Sequence, residues 1–236
     1  MSDPRLQNLL RWGIENSEAT RATTHPADST APSTAATTTS NDSTQPTNAQ
    51  PRTQLTPEVL AALLGGPSDA DLMRESMTAL HSTETDLAAK LTAFDNFHDL
   101  IEQIDNANNI TPLQLWDPLL KLLASDEPQL RAGAAASVGA AVENNVKGQQ
   151  AVFDKGVLPT LVGLAREDAD EGVRKKAIGA LSKGVRNFQP ALDQVVETLG
   201  DERWVGRGLQ AGEMSDCDLV IDSLREKSKQ KAQSGA

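Results

Sequence analysis

Only seven aromatic residues serve the 236 positions of this chain, four Phe and three Trp, and tyrosine is absent. Any core must therefore be filled by Ala, Leu, Val and Ile, whose compact side chains let helices approach closely. Cysteine occurs once, at Cys217, which excludes an intramolecular disulfide. The three histidines, His25, His81 and His98, stand apart with no second His or Cys beside them, so no metal-ligand spacing exists. Positive charge is scarce: 22 Lys and Arg against 33 Asp and Glu leave a net charge of −11. That balance excludes a general affinity for nucleic acid or an anionic membrane, both of which need clustered basic side chains. No apolar run suits secretion or membrane spanning, which makes the cytoplasm the expected compartment.

Chemistry is missing too. The chain has no P-loop, no dinucleotide-binding glycine pattern, no nucleophile elbow and no HExxH. Paired acids such as Asp168 with Asp170, and Asp201 with Glu202, fall at turns and helix starts, where solvated or capping roles suit them. Cys217 falls on the apolar face of a helical pattern, where burial suppresses thiolate chemistry. The sequence thus reads as a non-enzyme with no catalytic residue, no cofactor and no metal.

What is present is a repeat. LWDPLLKLLASDEPQLRAGAAASVGAAVENN aligns with VLPTLVGLAREDADEGVRKKAIGALSKGVRNFQ: Pro118 meets Pro159 and Leu123 meets Leu164 at an offset of 41. After a loop two residues longer, Arg131 meets Arg174, Val138 meets Leu181, Val142 meets Val185 and Asn144 meets Asn187 at an offset of 43. A degenerate upstream copy places Leu100, Ile104 and Asn106 38 residues before Val138, Val142 and Asn144. A repeat of roughly 40–47 residues built from helical segments is the armadillo/HEAT signature. The fold class predicted is all-α, an armadillo/HEAT-like right-handed helical solenoid preceded by a disordered N-terminal linker. Units that cannot bury their apolar faces alone stack into one core and leave an extended binding surface.

Read in order, residues 1–19 hold RLQNLLRWGIEN, with Leu9, Leu10 and Ile14 at helical spacing and Trp12 beside them. This segment is either a fraying end or a recognition helix. Residues 20–54 contain no Leu, Ile, Val, Met, Phe or Trp, and with nothing to bury they are expected to stay disordered. Residues 55–110 hold the N-terminal helices of the solenoid. Thr56-Pro57 opens one helix and Gly65-Gly66 closes it. Ser68 with Asp71 starts the next, whose Met73 and Met77 are core filler. TETDLAAKLTAFDNFHDLIEQIDNANNI predicts one long helix with Leu87, Leu91, Phe94, Phe97, Leu100, Ile101 and Ile104 as its buried stripe. Residues 111–200 hold the armadillo-like repeats, in which Gly133 and Gly139 imply close helix approach, because each costs about 1 kcal/mol of helix propensity relative to Ala. Residues 201–236 hold a loop anchored by Trp204 and a capping helix with Cys217, Val220, Ile221 and Leu224 on its buried face.

A polar motif ends each third-type helix: IDNANN with Asp105, Asn106, Ala107, Asn108 and Asn109; VENN with Glu143, Asn144 and Asn145; and VRNFQ with Arg186, Asn187 and Gln189. Asn at a helix end is often only a left-handed cap. Three stacked copies form a row in which Asp105, Glu143 and Arg186 follow as acid, acid and base, and such a row can read a protein surface. On the residues alone, a peptide-binding armadillo adaptor remains open.

The stretches LLRWGIENS, LLGGPSDADLMRESM, KLTAFDNFHDLIEQIDNANN, LWDPLLKLL, VENNVKGQQAVFDKGVLPTLVGLA and VRKKAIGALSKGVRNFQPALDQVV together resemble the fungal Fes-type, HspBP-type nucleotide exchange factors of the cytosolic DnaK-class chaperone, heat shock protein 70. The resemblance implies a monomeric co-chaperone whose armadillo face grips one lobe of the chaperone's nucleotide-binding domain, so that ADP leaves, ATP enters and the client is released. It further implies that Leu9, Leu10, Trp12 and Ile14 act on the substrate-binding domain. Against that family, the linker looks long and the folded body short.

Overall fold

The computed structural model describes residues 65–204 and 206–234. The amphipathic segment at 5–16, the linker at 20–54 and the helix opened by Thr56-Pro57 lie outside the described residues. Among the described residues the structure is helical, with no strand. Residues 68–236 form one compact unit, built from ten α-helices and two 3₁₀ turns among its described residues.

The helices are α1 (Asp69–His81), α2 (Leu87–Ile101), α3 (Ile104–Asn109), α4 (Trp116–Lys121), α5 (Pro128–Val142), α6 (Val146–Asp154), α7 (Leu158–Glu167), α8 (Glu171–Val185), α9 (Gln189–Leu199) and α10 (Met214–Ser234). A 3₁₀ turn, Leu122–Ala124, extends α4, and another, Glu202–Trp204, follows α9. Three helices make a repeat, first α3, α4 and α5, then α6, α7 and α8. The third helices pack in series: α5 lies against both α2 and α8, and α8 lies against both α5 and α10. One helix therefore buries two flanks, which explains why α5 is apolar nearly all round, with Ala134, Ala135, Val138, Ala141 and Val142 all enclosed.

Local sequence sets the helix starts. Ser68 caps α1 by accepting the Asp71 N–H, while its hydroxyl donates to the Asp71 carboxylate at 2.7 Å. Asp86 and Asp170 cap α2 and α8 by accepting the N–H groups of Ala89 and Val173. Close approach explains two helical glycines. A Cβ on Gly139 would stand 3.2 Å from the Ala180 Cα, and one on Gly133 would stand 2.9 Å from the Phe94 ring. Met73 and Met77 are buried as filler, Trp204 is buried under its loop, and α10 lays Cys217, Val220, Ile221 and Leu224 on the last repeat.

Two expectations are corrected. The single long helix through IDNANN is broken at Glu102-Gln103, where Gln103 takes extended backbone angles (φ −78°, ψ 125°). The Asn106 amide makes the break possible, donating to the Leu100 carbonyl at 3.1 Å and to the Asp69 carboxylate at 2.8 Å. The chain turns there, so Ile104 leaves the buried stripe and stands 55% exposed.

The upstream register also moves. Ile101 ends α2 as Val142 ends α5 and Val185 ends α8, which makes the upstream offset 41, not 38. A slip of three residues is nearly one helical turn and preserves the apolar pattern, so periodicity cannot detect it. The structural equivalents of Glu143 and Arg186 therefore include Glu102 in place of Asp105, since these three residues cap the C-termini of α2, α5 and α8.

Candidate partner-binding surface

The junctions after α5 and α8 are built alike. Glu143 and Arg186 leave the helix with extended angles, and the next residues, Asn144 (φ 51°) and Asn187 (φ 58°), take the left-handed conformation that Asn tolerates. The two asparagines thus turn the chain and stay exposed. Their neighbours serve the fold: Asn145 is buried, with its amide donating to the Ala141 carbonyl at 3.0 Å. Asn106 and Ala107 are buried at the upstream break, whereas Asp105 and Asn109 are exposed and Asn108 is half-buried. Gln189 is the first residue of α9; its amide N–H donates to the Leu209 carbonyl at 2.9 Å and its oxygen accepts the Ala211 N–H at 2.8 Å. Gln189 thereby holds the loop before α10 onto the second junction. The structure brings the VENN and VRNFQ residues to equivalent turns, and the IDNANN residues enter a helix of their own.

Charges on this row are already engaged. Lys183 donates to the Glu143 carboxylate at 2.7 Å, linking α8 to the end of α5. Arg186 donates to Asp218 of α10 at 2.8 Å and to the Ser182 carbonyl at 3.1 Å, with Met214 packed on its guanidinium. Both pairs remain partly open to solvent, with side-chain exposures between 31% and 52%. At such exposure a pair contributes about 0.2–1 kcal/mol and can be exchanged for a partner's charges at small cost.

Several residues of this surface escaped sequence reasoning. Gln149, buried on α6, donates to the carbonyls of Lys183, Gly184 and Arg186, satisfying the end of α8 from the neighbouring first helix. Its position two helices earlier in the chain left no local signal. Ile104 and Val146 are the first residues of α3 and α6, and they stand 55% and 62% exposed. Met214, also exposed, reaches the next junction at Arg186. The sequence signal was available only for Val146, an apolar residue directly after the VENN turn.

Among the described residues no group of three or more His, Cys, Asp or Glu is placed to hold a metal ion. His81 bonds the Pro118 carbonyl at 2.9 Å, and His98 lies 3.8 Å from the Glu102 carboxylate. Burial pushes the Cys217 thiol above its ordinary range, against the attraction of Arg186, so it stays protonated. The surface offers exposed polar contacts and partly solvated charge pairs.

Comparison with known proteins gives the family. Residues 6–110 match the family model for nucleotide exchange factor Fes1, and residues 106–203 match the SIL1/FES1/HPBP1 C-terminal domain. A protein of Gibberella zeae named Hsp70 nucleotide exchange factor FES1 is 46% identical over 231 residues, covering 96% of this chain and 98% of the relative. The chain belongs to the Fes1 family of nucleotide exchange factors. The Neurospora crassa protein named Hsp70 nucleotide exchange factor fes-1 is 43% identical over 96% of this chain and 99% of its own length. The one of Saccharomyces cerevisiae is 38% identical over 78% of this chain and 57% of its own. The match thus runs over nearly the whole length of the first two relatives. The two family models overlap at residues 106–110, across the end of α3, and α10 lies beyond both.

Proposed function

We propose that this chain is an Hsp70 nucleotide exchange factor: it binds the nucleotide-binding domain of a cytosolic Hsp70, accelerates ADP release, and so promotes ATP rebinding and client release. The observation that carries this reading is near full-length identity of 46% with a relative of that name. The stack of repeats supports it by supplying an extended surface without catalytic groups. Exchange needs no bond chemistry. A partner that binds an open nucleotide-binding domain more tightly than a closed one shifts the equilibrium by its differential affinity, and a tenfold preference corresponds to about 1.4 kcal/mol.

The row at the helix junctions is the contact surface in this reading. Glu143, Asn144, Arg186 and Asn187 present side chains at the turns, Asp105, Asn108 and Asn109 flank the upstream break, and Asn106, Ala107, Asn145 and Gln189 hold those turns in shape. The N-terminal residues Leu9, Leu10, Trp12 and Ile14, joined by a long polar tether, act on the substrate-binding domain during client release. The protein works as a monomer in the cytoplasm, and no described helix is long and apolar enough to cross a membrane.

The decisive measurement is release of fluorescent ADP from a cytosolic Hsp70 across a titration of the full chain. A saturable rise in release rate is the expected result, and an unchanged rate at saturating concentration rejects the function. Deleting residues 1–19 should leave ADP release intact and slow release of a bound peptide. Equal peptide release would remove the N-terminal segment from the mechanism.

A further inference from the structure

Beside the junction row, between α3 with its following loop and α6, lies a groove of about 870 Å³. That volume is in the range of a site that encloses a ligand or a short piece of chain. Its apolar side is formed by Val146, Pro112 and Ala151. Val146 is one of four large apolar side chains left exposed among the described residues, and another, Ile104, holds the equivalent first position in α3. A repeated apolar exposure at equivalent positions in successive repeats is patterned, unlike a lone surface Val.

The polar side is incomplete in a specific way. Asn108 lines the groove, while its side-chain oxygen is screened from solvent and accepts no hydrogen bond among the described residues. The first turn of α6 has no side-chain cap, because the Asn145 amide is turned back to the Ala141 carbonyl. Of the groove's charged side chains, Lys155 pairs with Asp117, while Asp154 accepts a hydrogen bond from the neutral Gln150 amide and keeps its charge at the far end of α6. Among the described residues Lys147 makes no side-chain hydrogen bond or ion pair, and it stands at the uncapped turn, at the opposite end of α6 from Asp154, so the charge beside those N–H groups is positive. Uncapped N–H groups and a lysine together attract a carboxylate.

We infer that this groove receives one segment of the partner's nucleotide-binding domain in which an apolar side chain stands next to an Asp or Glu. The apolar group covers Val146, and the carboxylate meets Lys147 and the first-turn N–H groups of α6. This deepens the exchange-factor reading and rests on it. The groove adjoins the junction row directly, since Asn145 caps the same helix that Val146 and Lys147 open, and Asn108 belongs to both.

The test uses the full chain, the isolated nucleotide-binding domain of a cytosolic Hsp70 with ADP, and the double variant Val146→Glu/Lys147→Glu. Both side chains are exposed, so the melting temperature should not change, while the dissociation constant by calorimetry should rise by at least about tenfold. Hydrogen exchange at Lys147 and Gly148 should slow when the domain is added to the wild-type chain. Should the double variant melt early, Val146→Ser/Lys147→Gln decides instead, with a rise of about threefold or more expected. Binding within twofold of wild type, or unprotected amides in the complex, overturns the groove and leaves the exchange function standing, provided wild type accelerates ADP release. A wild-type chain that neither binds the domain nor accelerates release rejects both readings.

Discussion

Replacing Asp168 should separate the two repeats energetically while leaving each helix its own sequence. In the native fold, the Arg131 guanidinium on α5 grips this carboxylate from two nitrogens, at 2.7 and 2.9 Å, across the boundary between repeats. Asp168 also accepts the Asp170 N–H at 2.9 Å, and Arg131 gives its remaining nitrogen to the carbonyls of Ser125 and Asp126. The side chains are 16% and 5% exposed, so the pair is largely buried. Removing one member of a buried pair costs about 3–5 kcal/mol, because the other charge stays desolvated. The two carbonyls left to Arg131 offset part of that, which brings Asp168→Ala to about 2–4 kcal/mol. For a folded unit of this size, that lowers the melting temperature by roughly 4–16 °C.

The pH dependence carries a sign. Burial alone would raise the Asp168 carboxyl, but hydrogen bonds from Arg131 and from the Asp170 N–H outweigh it and hold the group below its ordinary range. The contribution is therefore complete above the unfolded value, near about 4, and is lost as pH falls through the lower folded value. Calorimetry of wild type, Asp168→Ala, Arg131→Ala and the double variant gives the coupling energy directly, and about 2 kcal/mol at pH 7 is expected. The difference between wild type and Asp168→Ala should narrow only below pH of about 4. A loss under 2 °C, or a coupling under about 0.5 kcal/mol, would refute the claim that this pair joins the repeats.

Gly148→Ala should destabilise by about 3 kcal/mol, at the upper end for overpacking, because a Cβ there would lie 2.2 Å from the Ala141 carbonyl oxygen; urea unfolding measures it, and a loss below about 1 kcal/mol would show that α6 moves away freely. Arg186→Gln should cost less than about 1 kcal/mol of stability while reducing ADP release at sub-saturating concentrations, and unchanged release would confine Arg186 to its pair with Asp218. Cys217 should resist iodoacetamide until the chain unfolds, since its thiol is buried and held protonated; labelling of the folded protein at neutral pH would contradict the packing of α10.

By itself, the sequence determined that this is a helical repeat protein, and it carries no P-loop, dinucleotide-binding glycine pattern, nucleophile elbow or HExxH. The offsets of 41 and 43 residues, the Ser68 and Asp170 caps and the stripe Cys217, Val220, Ile221, Leu224 are local patterns, each legible because helix geometry ties spacing to a face. The family, too, was legible, as a resemblance carried by six stretches spread along the chain. Tertiary structure decided where the polar motifs point. Asn106 and Asn145 look alike as exposed polar letters, yet one mends a broken helix from within and the other caps a carbonyl one turn back. The register of the first repeat, the engagement of Arg186 by Asp218, the reach of Gln149 to three carbonyls and the groove beside Lys147 all depend on residues about 32 to 42 positions apart. Helical periodicity repeats every 3.6 residues and carries no information over that distance, so only the packing of one repeat on the next could settle them.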